Sequence, residues 1–290
     1  MTITIFTPTF NRGNRLPALY NSLQKQSNKD FEWLVVDDGS TDDTEDMVKS
    51  WLTESTFSIR YIKQHNGGKH RAINRGLREA RGELFFIVDS DDYLTPDAIE
   101  IICNLYEPIR GNESFCGVCP LKVDKKMKKI GSEFPYETLD CSCLDFRFRY
   151  NFSGDMAEVV RKEVLRKYPF PEIPGERFCP EALVWNRIGM KYKFRYANDK
   201  IYVCEYLEDG LTAKITKIRM QSPVASCMCY AEQASMSVPL KIKLKSAINY
   251  WRFRFCHSKN KKPSISPLWW WTMPLGLMMH INDKHKYYQK

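Results

Sequence analysis

The sequence predicts an α/β protein with a mostly parallel sheet flanked by helices. Three observations carry that expectation. Strand and helix signals alternate through the first hundred residues, the helical segments run about a dozen residues, and acidic or glycine-containing turns follow the strand signals. Strands joined by helices of that length make right-handed βαβ units, which stack into a parallel sheet.

The elements can be justified in order. TITIFTPTF (2–10) is rich in β-branched and aromatic residues and predicts a strand. RLPALYNSLQKQS (15–27) sets Leu16, Leu19, Tyr20 and Leu23 on one helical face. FEWLVVDDGS (31–40) is a second strand ending in a turn, and TDDTEDMVKSWL (41–52) a helix with Asp42 and Glu45 at capping-box spacing. FSIRYIKQ (57–64) predicts the third strand, KHRAINRGLREAR (69–81) a helix and GELFFIVDS (82–90) the fourth strand. From about residue 101 the alternation weakens. CGVCPLKV (116–123) and AEVVRKEVL (157–165) are expected to extend the sheet, PEALVWNRIGMKY (180–192) to be helical and KIYVCEYL (200–207) to be a late strand.

Open parallel sheets bind ligands beyond the carboxyl ends of their strands. That rule gathers the unusual residues of this chain on one rim. Pro8, Thr9 and Phe10 end the first strand, Asp37 and Asp38 the second, and Asp89, Ser90, Asp91 and Asp92 the fourth. The Gly67–Gly68 turn follows the third strand and brings Lys69 and Arg71. Clustered carboxylates repel one another and are costly to desolvate unless a cation sits among them, and hard divalent ions prefer such oxygen ligands. The combination suits a nucleotide diphosphate, with carboxylates for base, ribose and metal and cations for phosphate. Neither a P-loop nor a dinucleotide G-x-G-x-x-G is present, which argues against kinases and NAD enzymes. An Asp-rich turn also caps helices, and Thr95-Pro96-Asp97 fits a helix start; Asp89 and Asp91 are left over from that explanation.

Composition and charge bound the rest. The 290 residues, 43% hydrophobic and 27% charged, describe an ordinary globular protein with one large domain or two small ones. Ten cysteines with no basic leader before the first strand point to reduced thiols in the cytoplasm. Cys116, Cys119, Cys141 and Cys143 were they gathered would offer zinc four thiolates, but C-x-C is a poor half-site, and small buried thiols in a strand fit equally. Residues 240–290 hold eleven Lys/Arg against one Asp, a net of +10, so the remainder of a chain of net +9 sums to −1. The expected organisation is a compact domain over 1–239, with a nucleotide-binding half (1–100) and an acceptor half (101–239), followed by a basic amphipathic tail over 240–290. In the tail Leu240, Leu244, Ala247, Ile248, Trp251 and Phe255 fall on one helical stripe. Trp269, Trp270 and Trp271 beside lysines suit an anionic bilayer surface, and core packing explains the same stripe. The segment is too short to span a membrane. No nucleic-acid motif accompanies the charge, so nucleic acid is not an expected partner.

TIFTPTFNR, FEWLVVDDGSTDDT, NGGKHRAINRGLREARGE and FIVDSDDYLTPDAI together resemble the family 2 glycosyltransferases of the GT-A fold, in family order and spacing over residues 2–100. YPFPEIPGERFCPEALVWNRI resembles the acceptor-side segment of bacterial surface-polysaccharide members. The resemblance implies a Rossmann-like sheet, a nucleotide-sugar donor (a UDP-sugar), a glycan or lipid-linked acceptor, Mn²⁺ or Mg²⁺, and inversion at the anomeric centre. It implies a nucleobase pocket at Pro8, Thr9 and Phe10, a hydrogen bond from the base to Asp38 with Asp37 supporting that turn, and Lys69 near the nucleotide. Asp89 and Ser90 would face the ribose side, and Asp91 with Asp92 the metal. Glu181 would be the general base. The family's usual Glu-Asp pair is Glu181-Ala182 here, and Glu181 also fits a helix N-terminal acid. Asp155 is a second candidate on the acceptor side. Location at the inner face of the cytoplasmic membrane is the matching expectation. Two other classes compete: a sugar nucleotidyltransferase, for which TPTFNRGNR only faintly echoes the required loop, and a non-catalytic membrane-recruited nucleotide-binding module, which loss of the D-x-D would favour.

Overall fold

The computed structural model describes residues 1–204 and 214–288. Its contacts divide the chain into two units, Met1–Pro169 with Ile188–Tyr206, and Phe170–Arg187 with Leu207–Lys290.

The first unit holds all the described strands: β1 (Ile3–Thr9), β2 (Phe31–Asp37), β3 (Ser58–Lys63), β4 (Leu84–Ile87), β5 (Tyr93–Leu94), β6 (Phe115–Val123), β7 (Thr138–Cys141), β8 (Val159–Arg161) and β9 (Lys193–Val203). They form one sheet in the order β3-β2-β1-β4-β8-β6-β9-β5, with β7 paired to β9. Strands β3, β2, β1 and β4 run parallel, as the βαβ signals predict. The sheet as a whole is mixed, with β1, β2, β3, β4, β6 and β9 pointing one way and β5, β7 and β8 the other. Strands β6 and β9 are a parallel pair, while β4–β8, β6–β8, β5–β9 and β7–β9 are antiparallel. Beyond β4 no α-helix stands between β6 and β7 or between β7 and β8, so the strict strand–helix alternation lapses there and the chain can reverse direction.

Helices α1 (Leu16–Gln24), α2 (Thr44–Glu54), α3 (Lys69–Glu79) and α4 (Ala98–Tyr106) cover the sheet. Alternate residues of β1 serve its two faces. Ile3 and Ile5 join Leu16, Leu19, Trp33, Val48 and Ile102 in one core. Phe6 points the other way, stacks on Phe85 at 5.0 Å, and lies so close to Gly76 of α3 that a Cβ there would stand 2.1 Å from its ring. Only glycine admits α3 to the sheet at that distance. Glu32 is fully buried in β2 and is tolerated because it is fully engaged. It accepts from the Thr4 hydroxyl (2.7 Å) and the Arg81 N–H (2.7 Å) and pairs with Arg60 (3.3 Å).

Three local expectations need correction. Asp42 and Glu45 form no capping box. Asp42 instead accepts from Thr44 (2.6 Å to the hydroxyl) and the Gly13 N–H (3.0 Å), and Glu45 pairs with Lys49 and Lys63, both at 2.7 Å. AEVVRKEVL is half strand: β8 stops at Arg161 and a short helix α5 (Lys162–Arg166) follows. The late strand begins earlier than expected, at Lys193, and residues 205–207 of its predicted span lie outside the described residues. Cys116 and Cys119 lie buried in β6, and burial pushes Cys141 and Cys143 up to about 12, holding the thiols protonated.

The second unit is helical. It contains the start of α6 (Glu181–Gly189), then α7 (Ile215–Gln221), α8 (Pro223–Ser235), α9 (Leu240–Arg254) and α10 (Met273–Tyr288). The predicted tail helix is therefore present as α9, but its buried residues are Ser246, Ala247, Asn249, Tyr250 and Phe253. Of the expected stripe only Ala247 is buried, and Leu240 is 71% exposed. Helix α9 packs against both α8 and α10, so it buries two flanks where a single stripe would serve one neighbour. Its Arg252 makes a bidentate pair with Asp283 of α10, at 2.5 and 2.8 Å. Asp283→Ala is expected to cost about 3 kcal/mol, because it leaves a largely buried guanidinium without its counter-charge. Urea unfolding of the helical unit measures it, and an unchanged midpoint would show the pair contributes nothing. Among the described residues no helix is long and apolar enough to cross a membrane.

Candidate functional site

The carboxyl ends of β1, β2 and β4 bring the predicted residues of the first unit together. β1 and β2 run in register to their ends, with Pro8 opposite Val36 and Thr9 opposite Asp37. The turns beyond them are tied to each other. Asn11 donates its N–H to the Ser40 hydroxyl (2.8 Å), and its side-chain oxygen accepts from the Thr41 N–H (2.8 Å). Phe10 stands 46% exposed on this rim, whereas Thr9 is buried. The Thr9 hydroxyl oxygen finds no hydrogen-bond partner among the described residues, an unmet polar group of the kind a bound ligand satisfies.

Asp37 and Asp38 are both buried and both engaged. Asp37 accepts from the Ser40 N–H (2.7 Å) and the Tyr61 hydroxyl (2.5 Å), and burial together with that carboxylate pushes the Tyr61 phenol upward. Asp37 thus ties down its own turn. Asp38 holds the loop after β3: it accepts from Gln64 (2.8 Å), the Gly67 N–H (2.9 Å) and the Gly68 N–H (2.7 Å). Gly68 has φ +98°, a backbone state that glycine adopts freely, and it directly precedes α3. The result places Lys69 at the first position of α3, with its ammonium 2.7 Å from Asp89.

The D-x-D turn follows β4. Its carboxylates sit in three different environments. Burial alone would raise Asp89, but Lys69, Lys122 and Arg12 outweigh it and hold the carboxyl below its usual range. Asp91 is pushed up, first by burial and then by the charge of Asp89. Asp92 is buried and accepts the Tyr202 hydroxyl at 2.7 Å, while Tyr202 accepts the Asp89 N–H at 2.9 Å. Ser90 is buried within the same turn. Among the described residues no group of three or more His, Cys, Asp or Glu is placed to hold a metal ion. Asp92 is engaged with Tyr202, which leaves Asp91 as the carboxylate best disposed toward a cation. One or two carboxylates completed by substrate phosphates and water are how Mg²⁺ is commonly held, so the donor set fits.

Two contributors escaped the sequence reading. Tyr202 of β9 joins both ends of the acidic turn, and Lys122 of β6 stands over its ring at 4.1 Å. Burial would lower the Lys122 ammonium, but Asp89 and Glu158 raise it, so it stays charged beside the rim. A lone lysine in the apolar run CGVCPLKV was the signal for it. Tyr202 carried no local signal, because its role depends on β9 crossing to the acidic turn. Tyr202→Phe is expected to cost about 1–3 kcal/mol in denaturant unfolding by removing one buried donor from Asp92 and one acceptor from Asp89. Unaltered stability would show that water replaces the hydroxyl.

Asp155 lies exposed on a loop of the first unit. Glu181 belongs to the second unit, where it is the first residue of α6 and partly exposed.

The chain is similar to known proteins. Residues 4–140 match the model of Glycosyl transferase family 2. The chain is 31% identical over 198 residues to the GalNAc(5)-diNAcBac-PP-undecaprenol beta-1,3-glucosyltransferase of Campylobacter jejuni, covering 66% of this chain and 61% of that enzyme. It is 26% identical over 217 residues to Glycosyltransferase GlyG of Streptococcus pneumoniae, covering 69% of each. The crystal structure of S. aureus TarS in complex with UDP has the same fold, with a TM-score of 0.60 at 18% identity, covering 100% of this chain and 92% of that one. The chain thus spans less than two thirds of the Campylobacter enzyme's length. The parallel βαβ half, the acidic turn after β4 and the match to glycosyl transferase family 2 fall on the same residues, and the chain shares the fold of TarS.

Proposed function

We propose that this protein is an inverting, metal-dependent glycosyltransferase. It moves a sugar from a nucleotide diphosphate sugar, a UDP-sugar, to a glycan or lipid-linked glycan in cell-surface polysaccharide synthesis. The observation that carries the reading is Asp91. It is a partly buried carboxylate raised by burial and by Asp89, and it makes no salt bridge among the described residues. A fold does not retain such a group for stability. The UDP complex of TarS supports the donor class, and the PP-undecaprenol in the name of the Campylobacter enzyme supports the lipid-linked acceptor class.

The roles in this reading are those the resemblance implies. Thr9, with its unmet hydroxyl, and the exposed Phe10 ring line the nucleobase side with Pro8, while Asp37 and Asp38 hold the flanking turns. Asp89, fixed by Lys69, faces the ribose with Ser90. Lys69 and Lys122 hold positive charge beside the diphosphate position. Asp91, with Asp92 behind it, would hold Mn²⁺ or Mg²⁺, and the ion when bound neutralises charge on the leaving diphosphate. Glu181 takes the proton of the acceptor hydroxyl, which displaces the nucleotide directly and inverts the anomeric centre.

The site of action we propose is the inner face of the cytoplasmic membrane, with the protein held peripherally. Trp270 and Trp271 are 60% and 61% exposed in a stretch of high positive charge, which suits an anionic bilayer surface. Purified protein is to be incubated with a panel of UDP-sugars and Mn²⁺ or Mg²⁺, and UDP release and product followed. Release from one UDP-sugar, increased by a lipid-linked glycan, is the expected result. No turnover of any nucleotide sugar would overturn the reading.

A further inference from the structure

A cleft of about 800 Å³ in the second unit is lined wholly by residues of that unit. Its lining contains three cations, Arg254, Lys261 and Lys262, and no acid. Salt bridges within this unit include Arg187–Glu232 and Arg252–Asp283, and among the described residues none of the three lining cations is ion-paired. Lys262 is the most informative. It is only 9% exposed, and its ammonium donates to the carbonyl oxygens of Arg254 (3.0 Å) and Cys256. An ammonium has three donors, so one remains for a further acceptor. The acid that acts on Lys262 from nearby, Glu176, directs its two oxygens to the backbone N–H groups of Val224 and Ala225 at 2.7 and 2.9 Å. A buried cation with an open donor and two further cations beside it make an anion site.

The remainder of the lining is apolar and aromatic, including Trp251 and Trp270. Trp270 is largely exposed, and so are its neighbours Leu268 and Trp271, at 70% and 61%. A small soluble anion has no use for such walls. A ligand with a phosphate head and a long apolar tail matches both halves.

We infer that this cleft binds the phosphate or diphosphate head and the first apolar segment of a lipid-linked acceptor. The inference rests on the reading that the acceptor is lipid-linked, and it assigns that acceptor a second point of attachment apart from Glu181.

The test uses the full chain and farnesyl diphosphate as probe, followed by tryptophan fluorescence, with farnesol and inorganic diphosphate as controls. Farnesyl diphosphate is expected to bind in competition with neither UDP nor metal, and at least about tenfold more tightly than either control. The double variant Arg254→Gln/Lys261→Gln changes two exposed side chains and should weaken that binding by about tenfold or more, leaving UDP affinity unchanged. The single variant Lys261→Glu gives the same readout should the double variant fold poorly. Equal binding of farnesol would reduce the cleft to an apolar surface, and equal binding of inorganic diphosphate to a plain anion site; either overturns the inference. So would undiminished binding by the variants. Variants that lose sedimentation with anionic phospholipid vesicles, in a protein that never bound farnesyl diphosphate, would reassign the cleft to bilayer docking. Loss of UDP-sugar turnover with farnesyl diphosphate binding intact would instead count against the catalytic reading alone.

Discussion

Asp91→Asn is expected to abolish transfer, with a loss on the order of a thousandfold or more, equivalent to about 4 kcal/mol of transition-state stabilisation. Asparagine keeps the size of the side chain and removes the charge that would bind the ion. Nucleotide binding should weaken only when Mn²⁺ or Mg²⁺ is present, because the base and ribose contacts are untouched. The effect on folding should have the opposite sign. Asp91 is raised above its unfolded value by burial and by Asp89. A carboxyl whose folded pKa is raised destabilises the fold at pH values above its unfolded pKa, where folding must keep the charge. The metal-free variant should therefore be as stable as the parent at pH 7, or more so, and the difference should vanish below the unfolded pKa. Thermal melts at neutral and acid pH check the sign. Equal metal-stimulated activity in variant and parent would remove Asp91 from the site.

Glu181→Gln is expected to leave UDP-sugar affinity nearly unchanged while lowering turnover on the acceptor by about a hundredfold or more. Glutamine preserves the shape and most of the hydrogen bonding, but it cannot accept the acceptor's proton. The carboxylate also opens α6, where the helix dipole favours negative charge, so a stability change of about 0.3–1 kcal/mol is expected alongside. The two roles separate in kinetics. Loss of the helix-terminal charge moves the melting temperature, whereas loss of the base moves turnover and its pH profile. A variant that melts slightly lower and turns over normally would reduce Glu181 to a helix-terminal acid. Asp155, exposed on a loop of the first unit, is then the next residue to test.

The parts legible in the sequence were those in which neighbours along the chain decide the outcome. The period of apolar residues and the spacing of turns specified β1 to β4 and α1 to α3, and the rule for parallel sheets then collected Pro8, Thr9, Phe10, Asp37, Asp38, Lys69 and Asp89 to Asp92 on one rim. The basic helix over 240–254 was legible for the same reason. What was not legible depended on partners far away in sequence. Helix α9 turned a different side inward because it lies between α8 and α10, and no pattern within α9 encodes a second neighbour.

The same division runs through the acidic turn. By itself the sequence determined that three acidic side chains and a serine would crowd the end of a buried strand, since alternation and turn chemistry are local. Only the tertiary structure decided how those carboxylates differ. Lys69 reaches Asp89 because Asp38 pins the glycine turn before α3, and Tyr202 reaches Asp92 across 110 positions because β9 enters the same sheet. At Asp91 burial and the like charge of Asp89 outweigh its own backbone N–H and the cations Arg12 and Lys69. Coulomb energy and desolvation depend on distance in space, so identical residues three positions apart acquire different chemistry only once the chain has folded.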